Sequence, residues 1–170
     1  MDRKEKTLCF SGHRSEKLSQ SEEKLGKLQK RLNEKIDKAI EDGVDTFYFG
    51  ACYGFDLMCA NVILSRKKLI NLDKPQFIKL IAVLPYEEQP VRWNEENREL
   101  YYTILEKCDD VITLNSKYIQ GCYNESNLYM VDHSSRLICY YNGSGGGIGY
   151  TVNYAEKNNL QITNLYEKTE

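Results

Sequence analysis

The chain has 170 residues, of which 41% are apolar and 28% are charged, and its formal net charge is -2. This length and apolar fraction are typical of one domain with its own hydrophobic core, so we expect residues 1–170 to form a single folding unit. The slightly acidic balance argues against nucleic acid as a partner, because proteins that neutralise many phosphates carry a basic face.

The first six residues, MDRKEK, are charged and lead directly into an apolar run. They do not form a signal segment, and no apolar run approaches the roughly 20 residues that a membrane span requires. The six cysteines lie far apart, without a C-x-x-C pair and mostly inside apolar runs. This pattern indicates reduced core thiols rather than a disulfide framework or a zinc site. We therefore expect a cytoplasmic protein with no membrane segment and no metal.

Short β-rich runs alternate with longer amphipathic segments, which is typical of parallel βαβ construction. In chain order the predicted elements are strand Thr7 to Ser11, a helix from Ser21 to Gly43, strand Thr46 to Gly50, helix Asp56 to Leu69, strand Ile78 to Leu84, helix Arg92 to Cys108, strand Val111 to Leu114, helix Asn124 to Asp132, strand Leu137 to Tyr141, helix Gly147 to Asn158 and strand Gln161 to Leu165. This order predicts a Rossmann-like three-layer α/β/α fold with a mostly parallel sheet of five or six strands.

Apolar spacing supports two of these elements in particular. The fifth strand, LICYY, is apolar throughout, as expected of a strand that is covered on both faces. The first helix has apolar residues at steps of three and four. These residues are Leu25, Leu28, Leu32, Ile36 and Ile40.

The basic cluster Arg66-Lys67-Lys68 is interpreted as the end of the second helix, where positive charges interact favourably with the helix dipole.

Ligands of such sheets bind at the carboxyl ends of the strands, so the turns that follow strands form the candidate site. Three turns carry suitable residues: Ser11-Gly12-His13-Arg14, Gly50 to Asp56, and Asn142 to Thr151. In the third turn, glycines let backbone amides approach an anion, and the following helix directs its unpaired N–H groups to the same point. We assign phosphate binding to Gly145, Gly146, Gly147, Gly149 and Thr151. The alternative is a flexible tight turn.

Neither the G-x-G-x-x-G dinucleotide motif nor the G-x-x-x-x-G-K-[ST] P-loop occurs in the glycine turn. A generic NAD dehydrogenase or NTPase is therefore not indicated. The first turn offers a hydroxyl, a backbone amide, an imidazole and a guanidinium to a phosphate or a ribose. These groups belong to Ser11, Gly12, His13 and Arg14. The alternative is a surface turn in which the serine forms a local cap.

The second turn contributes Gly50, Gly54 and Asp56 to the candidate ligand site, although the last two could serve only to shape and cap the next helix. Arg98 and Asn127 are further candidates, because their predicted helices could project over the strand ends. For the arginine, the alternative is an ordinary solvated helix charge.

Acid–base candidates are few. His13 titrates near neutrality, Asp56 lies in the first turn of its helix, and Asp132 ends a helix where its carboxylate could reach a ribose hydroxyl. The aromatic residues Trp93, Tyr101 and Tyr102 are interpreted as packing rather than as a platform for base stacking. A nucleotide-type ligand is expected, and no other cofactor is indicated.

The chain contains four motifs at these positions. They are S-G-H-R after the first strand, G-x-x-x-G-F-D-L at the second helix, Y-M-V-D-x-S before the fifth strand and G-G-G-I-G-Y-T-V-N-Y-A after it. Together they resemble the SLOG superfamily of Rossmann-like proteins, in particular its small bacterial YpsA-like branch. The resemblance runs from about Leu8 to Ile162. It implies binding of nucleotides or nucleotide-derived ligands at the carboxyl edge of the sheet.

The related LONELY GUY enzymes are phosphoribohydrolases with a P-G-G-x-G-T-x-x-E segment and an upstream arginine. Here Tyr150 replaces the threonine, Asn153 stands in place of the glutamate and Ser126 stands in place of the arginine. Asn61 likewise replaces an acidic residue that is common after the second-turn motif. An amide cannot transfer a proton as a carboxylate does, so the resemblance favours a phosphate cradle without the hydrolytic groups.

Three hypotheses follow for the function. The first is a protein that binds a nucleotide or a nucleotide derivative. The second is an N-glycosidic hydrolase that uses His13, Asp56 or Asp132 as a substitute acid–base group. The third is a single-stranded DNA or protein-interaction module, because the G-F-D helix opening resembles that of DNA-processing protein A. A homodimer is an open alternative to a monomer, with the Tyr-rich segment from Arg92 to Tyr102 as its interface.

Overall fold

The computed structural model describes residues 3–73 and 77–168; residues 1, 2, 74–76, 169 and 170, which the single-domain prediction includes, lie outside the described part. The strands are β1 Thr7–Gly12, β2 Thr46–Phe49, β3 Lys79–Leu84, β4 Asp110–Thr113, β5 Arg136–Tyr140 and β6 Gln161–Asn164. The α-helices are α1 Glu22–Glu41, α2 Phe55–Asp73, α3 Glu95–Lys107, α4 Cys122–Asp132 and α5 Gly147–Lys157. Short 3-10 helices cover Arg3–Lys6 and Ser15–Lys17.

The strands form one sheet in the order β4-β3-β2-β1-β5-β6, and every pair within the described residues is parallel. Strand β1 lies in the interior of the sheet, where Cys9 is in register with Tyr48 of β2 and with Leu137 of β5. The predicted Rossmann-like sheet of five or six mostly parallel strands is therefore confirmed, with six strands in the described part of the chain. Because all strands run in the same direction, all their carboxyl ends lie at one edge.

Two hydrophobic cores cover the two faces of the sheet. Alternate residues of β1 point to opposite faces, so Leu8 and Phe10 join the first core while Cys9 joins the second. The first core contains the buried faces of α1, α2 and α3, and the second contains those of α4 and α5. Helices thus lie on both faces, which gives the three-layer α/β/α arrangement.

The first helix begins and ends at the residues that the sequence indicated. The Ser21 hydroxyl caps α1 by accepting a hydrogen bond from the Lys24 N–H (3.4 Å), and Gly43 follows with a φ of 101°. Leu28, Leu32 and Ile36 are buried, as the predicted stripe requires. The stripe therefore packs α1 against the sheet.

Several predicted boundaries were wrong. Helix α3 begins at Glu95 rather than Arg92, because the Asn94 side chain accepts a hydrogen bond from the Asn97 N–H (2.8 Å) and caps the helix there. Strand β2 ends at Phe49, one residue before the predicted Gly50, and α4 begins at Cys122, two residues before the predicted Asn124. The start of α3 thus follows a local side-chain hydrogen bond rather than the apolar pattern.

The basic cluster on α2 was also misassigned. The helix continues to Asp73, so Arg66 and Lys67 lie well inside it. Arg66 instead forms an ion pair with Asp37 of α1 (2.8 Å), and Lys67 forms one with Asp109 just before β4. The cluster therefore connects neighbouring elements instead of favouring a helix dipole.

Gly12 provides a test of the close packing between β1 and α2. A Cβ atom at Gly12 would lie 2.3 Å from Cδ1 and 2.7 Å from Cβ of Phe55, so Gly12→Ala should lower the free energy of unfolding by about 1–3 kcal/mol. Gly26 on α1 is the matched control, because its Cβ would meet no atom within 4 Å. Gly26→Ala should raise the free energy of unfolding by up to about 1 kcal/mol through helix propensity. Urea unfolding measures both changes, and equal effects of the two substitutions would contradict the packing argument.

Candidate functional site

The strand order changes direction between β1 and β5. From β1 the chain crosses through α1 to β2 on one side, whereas from β5 it crosses through α5 to β6 on the other side. In open α/β sheets, the crevice beyond the carboxyl ends of two such strands is the usual ligand site. A cavity of about 360 Å³ lies there, and we refer to it as the switch-point cavity.

The switch-point cavity brings together eight of the residues predicted for the ligand site. They are Ser11, Gly12, His13, Arg14, Gly50, Asp56, Asn127 and Gly147. These residues come from the first, second and glycine turns and from α4. The shared carboxyl edge thus places four separate segments around one volume.

His13 connects the first turn to the glycine turn. Its side chain is buried, and Nε2 accepts a hydrogen bond from the Asn142 N–H (3.2 Å). This bond places the ring proton on Nδ1. Burial lowers the pKa of His13, so the neutral imidazole predominates at neutral pH. Its first role is therefore to hold the two turns together.

Arg14 presents its guanidinium to the cavity. The Nε–H donates to Cys52 Sγ (3.2 Å), and the guanidinium carbon lies 5.3 Å from the ring centroid of Tyr53 and 6.0 Å from that of Tyr123. The side chain is exposed and forms no ion pair with any carboxylate of the described residues. Thiol and ring contacts leave its positive charge available to an anion.

The second turn combines a structural role with an unusual carboxyl group. Gly54 has a φ of 99°, and a Cβ there would lie 2.6 Å from the Ser15 backbone nitrogen, so it permits α2 to approach the first turn. Asp56 is buried, and its Oδ2 accepts a hydrogen bond from the Cys52 N–H (3.3 Å). Its Oδ1 has no hydrogen-bond partner among the described residues.

Burial raises the pKa of Asp56 from 3.8 to about 7, although the Cys52 N–H and the positive charge of Arg14 oppose this shift. The carboxyl group is therefore largely protonated in mildly acidic solution and divided between both forms near neutrality. In the protonated form it can donate a hydrogen bond as well as accept one. A buried carboxyl group with this pKa beside a cavity is typical of functional sites.

The glycine turn divides into a part at the cavity and a part outside it. Gly146 precedes α5 with a φ of 121°, and Gly147 and Ile148 line the cavity. The first hydrogen bond within the helix runs from the Tyr150 N–H to the Gly146 carbonyl (3.1 Å). The three preceding amides, Gly147 to Gly149, thus have no partner within the helix and are available to an anion.

Other glycine-turn candidates do not line the cavity. Gly145 and Gly146 are exposed, and a Cβ at either position would meet no atom within 4 Å. Gly149 is buried, and a Cβ there would lie 2.7 Å from the Tyr141 hydroxyl. The Thr151 hydroxyl donates to the Gly147 carbonyl (2.9 Å) within its own helix. These residues shape the turn, whereas Gly147 borders the ligand volume.

Two charged candidates and one amide lie away from the cavity. Arg98 does not line it, and its guanidinium instead donates to the Trp93 carbonyl (3.3 Å). Asp132 ends α4 near the amino ends of the strands, roughly 15 Å along the helix axis from its start, and accepts a hydrogen bond from the Tyr154 hydroxyl (2.7 Å). The prediction that Asp132 could reach a ribose at this site is therefore wrong. Asn153 is exposed on α5.

Part of the cavity wall consists of residues that the sequence did not indicate as site residues. Gln89 is buried, its Nε2 donates to the Gly50 carbonyl (3.3 Å), and it lines the switch-point cavity together with Cys52 and Tyr123. Gln89 lies in the loop after β3, so the rule that ligands bind at the carboxyl ends of strands could have found it. Tyr123 lies in the first turn of α4, and no polar motif in that part of the sequence indicated a ligand site.

A family model described as the YspA SLOG family matches residues 8–168. The chain belongs to this family. A UPF0398 protein of Halalkalibacterium halodurans is 26% identical over 162 residues, which cover 92% of this chain and 83% of that protein. The SLOG resemblance of the four motifs is thereby confirmed.

Two solved structures of DNA processing protein A share the fold. The protein from Helicobacter pylori, studied for its single-stranded DNA binding mode, has a TM-score of 0.59 and 12% identity over 91% of this chain and 63% of that chain. The protein from Streptococcus pneumoniae has a TM-score of 0.60 and 15% identity over 92% of this chain and 50% of that chain. This chain thus spans less than two thirds of either protein, and at these identities the likeness shows the fold alone.

Two further findings concern the described residues only. No helix among them is both long enough and apolar enough to cross a membrane. No group of three or more His, Cys, Asp or Glu side chains is arranged there to hold a metal ion.

The buried Asp56 carboxyl predicts a specific pH dependence of stability. Its pKa is about 7 in the folded protein and near 3.8 when unfolded, so its stabilising contribution is complete below about pH 4 and is lost as the pH rises towards 7. Asp56→Asn removes this titration and keeps an oxygen for the Cys52 N–H. Relative to that of the variant, the free energy of unfolding of the wild type should fall by up to about 4 kcal/mol between pH 4 and 7. Urea unfolding at several pH values measures the difference, and a constant difference across that window would contradict the burial of a titrating carboxyl group.

Proposed function

We propose that the protein binds a nucleotide or a nucleotide-derived ligand in the switch-point cavity. In this arrangement an anionic phosphate lies against the first amides of α5 and beside Arg14. The observation that carries the proposal is the meeting of two unpaired positive features, the start of α5 and the Arg14 guanidinium, at one cavity of the described residues. Membership of a SLOG family supports the nucleotide assignment.

The remaining cavity wall suits the uncharged part of such a ligand. Asp56, Gln89 and Asn127 line the cavity with a carboxyl group and two amides, which can donate and accept hydrogen bonds to sugar hydroxyls or a base. A volume of about 360 Å³ falls within the range of small-molecule sites. The combination of one anion site and several neutral polar groups favours a nucleotide over an inorganic anion.

Gly147→Asp tests the proposed phosphate position. At the start of α5 the new carboxylate would face the helix dipole, and a Cβ at Gly147 has space, its nearest neighbour being Asn124 Oδ1 at 3.9 Å. The variant should therefore fold normally. It should weaken the binding of a phosphate-bearing ligand tenfold or more, because the carboxylate occupies the anion position.

The measurement is thermal unfolding of the wild type and the variants with mononucleotides, ADP-ribose and cyclic nucleotides. A ligand at 100 times its Kd should raise the Tm of the wild type by roughly 5 °C or more. Gly26→Asp on α1 is the control, because it adds the same charge at an open position that does not line the cavity, and it should keep the full shift. If no compound shifts the wild type, or if both variants lose the shift equally, the proposed site is wrong.

A second candidate function is N-glycosidic hydrolysis of nucleoside monophosphates, and Asp56 is the observation that favours it. A general acid or base works best with a pKa near the working pH, and the pKa of Asp56 is raised to about 7 beside the cavity. The exposed Asn153, in place of a catalytic glutamate, argues in the other direction. Binding is therefore the first proposal and hydrolysis the second.

Chromatography of nucleoside monophosphates after incubation with the protein tests this second candidate. If Asp56 transfers the proton, the wild type should release free base, and Asp56→Asn should slow the release by about 10²- to 10⁴-fold while retaining phosphate binding. A general acid would lose activity as the pH rises through 7, whereas a general base would gain it. Absence of free base from every nucleotide that binds would exclude hydrolysis and leave the binding proposal intact.

A further inference from the structure

A second, larger volume of about 690 Å³ adjoins the switch-point cavity, and we refer to it as the aromatic cavity. We infer that the aromatic cavity receives the base of the same nucleotide-type ligand, so that the protein selects base-bearing nucleotides over sugar phosphates. This inference rests on the proposed function, because the switch-point cavity must hold the phosphate. Five aromatic side chains line the new cavity: Tyr53, Tyr86, Trp93, Tyr118 and Tyr123.

The rings meet at steep angles and thereby form corners. Tyr86 lies 5.6 Å from Tyr118 and 6.0 Å from Tyr123 between ring centroids, with interplanar angles of 80° and 87°. On the other side, Tyr53 and Trp93 lie 5.1 Å apart at 72°. A flat aromatic group can stack on one ring of such a corner while its edge meets the next ring. Nucleobases have this shape, and sugars do not.

The charges at the aromatic cavity balance, which favours a neutral group there. Arg14 and Arg92 line it together with Glu16 and Glu88. The Arg14 guanidinium already lies over the rings of Tyr53 and Tyr123, so a ligand cation on those rings would meet a like charge. The glutamates in turn disfavour a second phosphate. A neutral base therefore fits this volume better than a cation or an anion.

The two cavities are continuous in their walls. Arg14, Glu16, Gln89 and Tyr123 line both of them. A ligand whose phosphate lies at the start of α5 can therefore extend past Arg14 to place its base among the rings. Because Glu16 and Glu88 balance the two arginines, the aromatic cavity has no surplus positive charge for the successive phosphates of a single-stranded DNA, which favours a small nucleotide over a polymer.

The aromatic cavity is not simply part of the hydrophobic core. Tyr118 is 60% exposed, and Tyr86 and Tyr123 are only half-buried. The aromatic residues that the sequence assigned to packing behave differently, since Tyr101 is buried and Tyr102 lies outside both cavities. Only Trp93 is shared by the two groups, and it packs at 5.4 Å against Tyr101. The exposed tyrosine faces are thus free to contact a ligand.

The experiment is calorimetric titration of the wild type and four variants with AMP, GMP, CMP, UMP and ribose 5-phosphate. Tyr118→Ala and Tyr86→Leu each remove one ring from the aromatic cavity. Tyr102→Ala is the matched control, because this tyrosine is 50% exposed on α3 and lines neither cavity. Gly147→Asp tests the phosphate position in the same series. Thermal unfolding without ligand checks that each variant is folded.

At least one nucleotide should bind the wild type about tenfold or more tightly than ribose 5-phosphate. Tyr118→Ala and Tyr86→Leu should each weaken that nucleotide by about fivefold or more, as expected for the loss of one stacking ring, and leave ribose 5-phosphate unchanged. Tyr102→Ala should change neither affinity. Gly147→Asp should weaken both ligands.

The outcomes separate this inference from the proposed function. Equal affinity for the nucleotides and ribose 5-phosphate, or an equal loss of both ligands in the tyrosine variants, would overturn the base site and retain the phosphate site. Absence of binding by all five compounds would overturn the inference, whereas the proposed function falls only if ADP-ribose and the cyclic nucleotides also fail to shift the Tm. Tyr118-dependent retention of a single-stranded oligonucleotide, without binding of mononucleotides, would overturn the inference in favour of a nucleic-acid groove.

Discussion

Parallel pairing of β1 with both of its neighbours is the constraint on which the site depends. Because β1 pairs in parallel with β2 and with β5, the three strands deliver their following turns to the same edge. The crossovers then diverge, so no helix covers the space directly above β1 and β5 in the described part of the chain. The position of the cavity is a consequence of this strand order, and the turn residues determine its shape and its chemistry.

Close backbone packing then sets the shape of that space. Gly12 lies against Phe55, and Gly54 lies against the backbone of Arg14 and Ser15, so the start of α2 is held tightly on the first turn. The Phe55 N–H also donates to the His13 carbonyl (3.2 Å). These two glycines belong to motifs that suggest ligand contact. Gly12 does line the cavity. Glycine is nevertheless required at both positions mainly because a Cβ atom there would clash with the neighbouring protein segment.

The sequence contained enough information for the elements, the sheet and the edge at which the candidate site lies. Periodicity and capping located α1, and the rule for strand ends located the Ser11 to Arg14 turn. The misplacement of Asp132 was avoidable, because a helix that leads into a parallel strand runs antiparallel to it and therefore ends at the amino edge of the sheet. The rule for strand ends could have found Gln89, which follows β3, whereas the position of Tyr123 at the cavity comes from packing between segments that are distant in sequence.

Arg14 lines both the switch-point cavity and the aromatic cavity of the proposed ligand site. Its contacts with Cys52 and two tyrosine rings hold the guanidinium at the boundary of the two cavities without neutralising its charge. A carboxylate partner would have fixed it equally well but would have competed with a phosphate. Thiol and aromatic contacts therefore let one residue be ordered before binding and still meet an anion. Asn153 stands in place of the hydrolytic glutamate, which favours ligand binding over hydrolysis. Asp56 is the buried group whose proton would decide whether the site also catalyses hydrolysis.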